Sequence, residues 1–555
     1  MPTTGYGRIC EVVSIKTRLF PRHFGPLQSI TVSFFRISRA TMQIFYLAVA
    51  FILAATAIES AAVERSEFKC CLALLKDDAL SGKVLTPCNE NFHHRLESYY
   101  SANAAEPPRC MVLPQTSEDV ARTIQIISAR NCSFGMRSGA HSAFSGSNGL
   151  KDGITVDFGE YRLFIWQQGS HAIGYMNSTE YDPTTGIASV RPGSNWGDVY
   201  SALDPFGVTA VGGRASVVGV GGFTTGGGYS FHSNRRGFAC DNVVNFEVVL
   251  ANGTIVSANA HENSGLWKAL KGGSGNFGFV TRVDVEVVRS TQIWGGITTY
   301  DLSKTDDVVN AYVKFVNTMD EDPASQAIVT LLYGQQGLSL VAVLTNSDAK
   351  SSAPAFREFA RIANVSSTAR VGSVTEMVPE FTGPTPLGLY ANWRTGMTSH
   401  SALIMEFVLG IVPEYTKKMH LAASDSNFEL LTQFQPVTKS MVAHGDERGG
   451  NVLGLGRVIA DGPALMWLLA LTVDTAENQE LIWPLLLELE SAINEFACKE
   501  GLQKDWEFLN YSGLNQTPFL HYGEETVHFL RSVSLEYDPG RVFQDLRKTG
   551  FRIPV

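Results

Sequence analysis

The apolar positions of this chain change period several times, and the changes mark its elements. From residue 111 the sequence reads MVLPQTSEDVARTIQIISARN. Residues 111–113 predict a short strand. Val120, Ile124 and Ile127 then fall on one side of a helix. Thr116 or Ser117 is placed to cap that helix, with Glu118 and Asp119 in its first turn, where acids complement the helix dipole. Residues 134–137 and 154–158 (ITVDF) read as strands, the second introduced by the turn pair Asp152-Gly153. Residues 182–186 predict a hairpin turn between two short strands. Gly193-Ser194-Asn195 opens a helix through Leu203. Residues 242–250 and 253–257 predict a strand pair across Ala251-Asn252. Residues 265–270 predict a helix, and 272–288 a glycine turn running into a long strand.

On a coarser scale, residues 63–106 predict a helical N-terminal segment, with Leu72, Leu75, Ala79 and Leu80 near helical spacing. PPRC at 107–110 breaks it. Residues 107–290 carry many short strands and no regular β-α-β alternation. Residues 291–490 predict a second unit with longer elements and a helix over 484–497 near its end. A loop-rich, aromatic segment, 491–555, follows. Two globular domains are expected, because 555 residues exceed what one core holds.

Composition adds a compartment. The apolar run from Ile44 to Ile58 has the length of a signal h-region and is short for a membrane span. Small residues follow at Ser60, Ala61 and Ala62, as cleavage requires. This predicts a signal region over 1–62, secretion, and no stable membrane span after cleavage. Met42, just before the run, reads as an alternative true start. Two other readings stay open. Arg36 and Arg39 suit the n-region of a longer signal or anchor, and residues 1–41, rich in Arg with Glu11 as their one acid, suit a transit peptide. Five of the eight cysteines lie between 70 and 132 without C-x-x-C pairs, which favours disulfides over a zinc ribbon. Five is odd, so at least one is free or pairs elsewhere. N-x-Ser/Thr triplets at Asn131, Asn177, Asn252, Asn364, Asn510 and Asn515 are glycosylation acceptors only in a secreted chain. A net charge of -10 leaves no basic footprint for nucleic acid. No metal site is expected.

Two glycine loops carry candidate chemistry. At RSGAH (137–141) a strand ends and small residues turn the backbone. Gly139 can take positive φ, and consecutive N–H groups in such a turn form an anion nest, with Arg137 adding charge. Taken alone, RSGAH fits a surface turn with an incidental histidine better than a binding nest, because glycine turns are common. The second loop is VGVGGFTTGGG (218–228). It fails the P-loop pattern, because Gly226 is followed by Gly227 and no lysine. It fails G-x-G-x-x-G, because Thr224 stands where the third glycine belongs. No helix is expected after these glycines, which argues further against a dinucleotide fingerprint.

RSGAH, VRPGSNWGDVY, VGGRASVVGVGGFTTGGGYS, FACDNVVNFEVVLANGTIV and LWKALKGGSGNFGFVTRVDVE, in that order, resemble the FAD-binding domain of the PCMH-type, vanillyl-alcohol-oxidase-like superfamily. Within it the chain is similar to fungal secreted berberine-bridge-enzyme-like oxidases of secondary metabolism. NYSGLN (510–515) and YDPGRVF (537–543) match that group's closing segment. The resemblance implies an α+β fold: a PCMH-type two-subdomain FAD-binding domain (107–290) plus an α/β substrate domain with an antiparallel sheet (291–490). Residues 491–555 would return to the FAD domain. It implies FAD tethered to His141 by one covalent bond, since Ala215 stands where a second tether, a cysteine, is common. Ala140 replaces the family's usual glycine, and Phe223 stands where many relatives have histidine. By the same resemblance Arg137, Ser138, Gly139, Ala140 and Ser142 cradle the pyrophosphate. Gly193, Gly213, Gly219, Gly222, Gly226, Gly227 and Gly228 line the cofactor, and Val280 lies by the adenine half. Asn510 and Tyr511 approach the isoalloxazine, which would bury Asn510 away from glycosylation.

The implied reaction removes a hydride from an alcohol, amine or polyketide-like small molecule, with molecular oxygen reoxidising the flavin. Tyr511 is the first candidate for the base. His400 and Arg394, among Tyr390 and Trp393, are others, as are His444, Asp446 and Glu447 in HGDERGGNVLGLG. The plainer alternatives are a hydrogen-bonded core histidine and a solvated charged loop. A dehydrogenase, an oxidative cyclase or an inactive binding protein on the same scaffold would share these features. The chain is expected to act as a monomer.

Overall fold

The helix Ser117–Arg130 forms as its local chemistry dictates. Thr116 accepts from the Asp119 N–H at 3.2 Å, and the Asp119 carboxylate accepts from the Thr116 N–H at 3.2 Å, closing a capping box. Val120, Ile124 and Ile127 are fully buried. Asn131 ends the helix in the left-handed region, at φ 53. The computed structural model describes residues 67–159 and 176–555. The expected signal region, 1–62, lies outside the described residues.

Three sheets follow. The first holds β1 (Val84–Leu85), β2 (Cys110–Val112), β3 (Phe134–Arg137) and β4 (Ile154–Asp157) in the order β1-β2-β4-β3. β4 runs parallel to both its neighbours, whereas β1 is antiparallel. The second is antiparallel and has six strands: β5 (Thr179–Asp182), β6 (Ile187–Val190), β7 (Thr209–Ala210), β8 (Val243–Val249), β9 (Ile255–Asn259) and β10 (Phe279–Val288). Its β5/β6 and β8/β9 hairpins turn where glycine and Asx residues predict them. The third is a nine-stranded antiparallel sheet. Its central strands are β11 (Gln292–Tyr300), β12 (Ser325–Gly334), β13 (Gly337–Asn346), β16 (Tyr390–Ser399), β17 (Glu429–Val437) and β18 (Ala464–Val473), in the order β11-β13-β12-β17-β18-β16. The two-residue strand Ser366–Ser367 (β14) and Arg370–Ser373 (β15) pair with β11, and Gln503–Lys504 (β19) pairs with β16. The architecture is the expected α+β, with the large antiparallel sheet C-terminal to the smaller ones.

Three local expectations are corrected. The N-terminal segment is mixed rather than helical. Helix covers 67–75 and Glu90–Glu97, with β1 between them. Its buried stripe is Cys70, Cys71 and Leu74, while Leu75 is exposed, because two disulfides, Cys70–Cys132 and Cys71–Cys110, fix which face meets the first sheet. Cys88 and Cys240 are free, the first exposed and the second buried. The late helix spans Ala476–Lys499, and Pro484 lies inside it rather than at its start. Thr475 caps it, and buried Ile482, Leu486, Leu489 and Ile493 outweigh the roughly 3 kcal/mol that an internal proline costs. A short helix, Val220–Thr225, does begin within the glycine run, directly after Gly219. Among the described residues no helix is long and apolar enough to cross a membrane.

Candidate active site

A cavity of about 460 Å³ lies between the glycine loops and one face of the large sheet. Strand alternation builds the sheet side. Leu431 and Gln433 on β17 point into it, as do Leu468 and Ala470 on β18, two residues apart in each case. Cross-strand pairing sets them in rows, with Gln433 opposite Leu468, Leu431 opposite Ala470, and Ala470 opposite Trp393 on β16. Ile328 and Val343, paired across β12 and β13, extend this apolar wall.

The opposite wall is backbone. Ser138, Gly139, Ala140, His141 and Ser142 all line the cavity. None of their N–H groups donates to a protein acceptor among the described residues. Five consecutive free donors at a turn make a nest for an anion. Ala140 sits at φ 52, where an L-residue costs roughly 1–2 kcal/mol. Its methyl packs with Tyr99 and Ala104. Gly219, Gly213 and Gly222 line the same space, and Gly139 and Gly219 press so closely together that a Cβ on either would stand 2.5 Å from the other's Cα. Side chains at these positions would fill the cradle.

The Arg137 guanidinium points away from the nest. It is buried, 3.3 Å from Asp157, which also takes two 2.8 Å bonds from Arg95. Its Nη1 and Nη2 also donate to the Arg95 carbonyl and to Ser98, both at 2.6 Å. The charge expected to assist the nest is therefore spent inside the first sheet. Burial holds the Arg137 pKa below its usual value, and the Asp157 carboxyl, although desolvation opposes it, is held low by the two arginines.

His141 is enclosed by aromatic rings, with Tyr100 and Trp393 centroids at 4.0 and 5.7 Å. Burial lowers its pKa to about 4, so the imidazole is neutral at pH 7 and its nitrogen lone pair is free. Tyr511 lies across the cavity. Its hydroxyl accepts from Arg214 at 2.9 Å and from Gln435 at 3.3 Å. Asn510, beside it, closes the second glycine loop, donating to the Gly222 carbonyl at 3.2 Å and accepting from the Gly228 N–H at 3.1 Å. A Cβ at Gly226 would stand 2.5 Å from the Asn510 amide, so a larger residue there would displace that side chain. Asn510 is half-buried with its amide committed in this way. Val280 also lines the cavity, as do Ala215 and Phe223.

Several expected residues lie elsewhere. Gly193 is packed under the chain, where a Cβ would meet the Phe158 carbonyl at 1.9 Å. Gly226, Gly227 and Gly228 stand behind the cavity wall rather than on it. Arg394 alternates with Trp393 and so takes the sheet's other face, paired to Glu490 at 2.6 and 2.8 Å. His400 bonds the Val313 carbonyl at 3.2 Å, outside the cavity. His444, Asp446 and Glu447 sit at the end of the helix Lys439–Glu447, also away from the cavity, with both acids exposed and Glu447 3.1 Å from His444. Tyr100, Arg214, Gln435 and Arg547 belong to the site and were not among the expected residues. Arg214 alone had a signal, as a lone arginine inside a run of small residues next to a glycine loop.

A nest of free N–H groups facing an apolar sheet across one cavity suits a phosphate-bearing cofactor beside an apolar ligand. The FAD binding domain family matches residues 108–259. FAD-dependent monooxygenase sdcF of Emericella nidulans is 33% identical over 491 residues, covering 87% of this chain and 98% of that protein. The fold is similar to 6-hydroxy-D-nicotine oxidase of Arthrobacter nicotinovorans, with a TM-score of 0.68 at 20% identity over 86% of this chain and 98% of that one. It is also similar to a single-substitution variant of berberine bridge enzyme, with a TM-score of 0.67 at 15% identity over 87% and 99%. The chain belongs to the family of FAD-dependent oxidoreductases that includes the Emericella nidulans protein, and its cofactor is FAD.

Proposed function

We propose that the protein is an oxidase that tethers FAD to His141 and oxidises a small, largely apolar metabolite with molecular oxygen. The observation that carries this reading is the single cavity shared by the free N–H nest at 138–142, the neutral His141 imidazole and the apolar sheet wall. The nest would hold the pyrophosphate of FAD, and FAD would supply the two-electron acceptor for a hydride. Ile328, Leu431, Leu468 and Ala470 would exclude water and seat the substrate's apolar frame. No carboxylate lines the cavity among the described residues, so the Tyr511 oxygen, in its deprotonated form beside the Arg214 cation, would take the substrate proton, with Gln435 helping to hold it in place. Ala215 offers no thiol, so one tether is expected. The two disulfides support passage through an oxidising, secretory compartment, where exposed Asn131, Asn252, Asn364 and Asn515 would be open to glycosylation.

The test is acid precipitation of the purified protein followed by a visible spectrum. Yellow colour should stay in the pellet, and His141→Ala should release it. A colourless pellet from the unaltered protein sinks the tether. A second reading, oxygen insertion into substrate, is favoured by the names of the curated fungal relatives. Isotopically labelled oxygen separates the two. An oxidase sends the label to hydrogen peroxide, and a monooxygenase sends it to product.

A further inference from the structure

Ser147 and Asn148 line the cavity, and their Oγ and Oδ1 atoms are buried with no hydrogen-bond partner among the described residues. Asn148 is 8% exposed, and its Nδ2 has no acceptor there either. A carboxamide, one donor and one acceptor side by side, is thus buried and unpaired. Buried polar groups are seldom left so, because each unmade bond destabilises the fold. The group lies along β3, on the side of the nest away from His141. A Cβ on Gly135, within β3, would stand 3.4 Å from the Asn148 carbonyl and 2.8 Å from the Thr549 methyl. β3 then leads into the nest at Ser138, and His141 stands beyond it, against Trp393 of the large sheet. Residues 549–551 close over the stretch that carries Asn148. The Gly550 N–H donates to the Gly146 carbonyl at 2.8 Å, and the Phe551 and Phe144 ring centroids are 5.1 Å apart. Phe144, Gly275, Gly278, Gly550 and Phe551 all line the cavity, so its walls here are aromatic faces and bare backbone.

We infer that Asn148 reads the adenine of FAD, its carboxamide pairing with the 6-amino group and an adjacent ring nitrogen. This rests on the proposal that the cavity holds FAD with its pyrophosphate on the nest at 138–142. FAD carries one ring system on each side of that pyrophosphate. His141 commits the flavin to the side of the large sheet, so the adenine takes the side of β3. An adenine edge sets an N–H donor beside a ring-nitrogen acceptor, which is the complement of a carboxamide, and asparagine pairs with that edge through two bonds. The rings of Phe144 and Phe551 and the glycine backbone suit a flat base rather than a puckered ribose. Recognition of the cofactor then divides between the nest, which holds any pyrophosphate, and Asn148, which selects the base.

The test uses the full chain carrying His141→Ala, freed of flavin and titrated by calorimetry with two ligands. One is FAD, and the other is the flavin dinucleotide of unsubstituted purine, which lacks the 6-amino group. The purine analogue should bind about tenfold more weakly, because it leaves the Asn148 oxygen buried and unpaired. Adding Asn148→Leu should weaken FAD to the level of the analogue and abolish the preference. Equal binding of the two ligands by the His141→Ala protein, or a preference that survives Asn148→Leu, overturns the inference. A crystal structure of the unaltered, flavin-loaded protein decides the matter independently of reloading. The Asn148 carboxamide should lie within about 3.2 Å of the adenine 6-amino nitrogen. If the pyrophosphate sits on the nest and Asn148 meets ribose, phosphate or water instead, the inference falls alone. A pyrophosphate bound away from the nest, or a protein that purifies without flavin, defeats the underlying reading.

Discussion

Tyr100 stacks on His141 with ring centroids 4.0 Å apart and planes tilted by 38°. The adjacent Tyr99 lies under Arg137, 3.9 Å from its guanidinium carbon, and the Tyr100 N–H donates to the Ala140 carbonyl at 3.1 Å. One dipeptide from the N-terminal segment therefore grips both ends of the RSGAH turn. Tyr100→Phe keeps the ring and should leave flavin attachment near normal. Tyr100→Ala frees the imidazole to rotate and should lower the acid-stable flavin fraction several-fold, read as in-gel flavin fluorescence after denaturation. Equal fluorescence in both variants would show that the stack does not orient His141.

Asp157 is fully buried and serves two buried arginines. Asp157→Asn leaves both without a counter-charge and should cost about 3–5 kcal/mol in urea unfolding. A loss under about 1 kcal/mol would mean that the arginines find other partners.

Removal of the Tyr511 hydroxyl tests its role in chemistry. Tyr511→Phe should keep flavin and fold but lower the rate of flavin reduction by substrate roughly a hundredfold. If reduction stays at the native rate, the proton leaves by another route.

Acid stability has a local source in His232, which is buried with its pKa lowered to about 4, chiefly by desolvation and secondarily by Arg236 and Arg235. In the unfolded chain this imidazole titrates near 6.5. Below that pH the unfolded state binds a proton that the folded state refuses. Stability should thus be level above about pH 6.5 and fall towards pH 4, by up to about 3 kcal/mol from this residue. Urea midpoints across that range should show the slope, and His232→Gln should flatten it. An unchanged slope would assign acid sensitivity to other groups.

Much of the nucleotide side was legible in the sequence because it is local. The cap at Thr116, the hairpins and the glycine turns are each set by a few neighbouring residues, and the order of glycine motifs pointed to FAD. The substrate side was not. Gln435 and Arg214 meet from strand and loop positions 221 residues apart, and which face of β16 takes Arg394 depends on pairing across the large sheet. The charged stretch 444–447 and His400 stand out as isolated chemistry, but the first ends a surface helix and the second bonds a neighbouring helix's carbonyl. Pro484 misled for the opposite reason, since a strong local breaker was overridden by an apolar stripe.

Residues 547–551 add a constraint of timing. Arg547, Thr549, Gly550 and Phe551 line the same cavity as Tyr100, and the Lys548 N–H donates to the Phe134 carbonyl at 2.9 Å, laying this tail along β3. The cavity wall is thus stitched from both ends of the described chain. Until residues 547–551 have left the ribosome and reached β3 the chamber stays half open, so enclosure of the cofactor waits on the segment that is made after all its other walls.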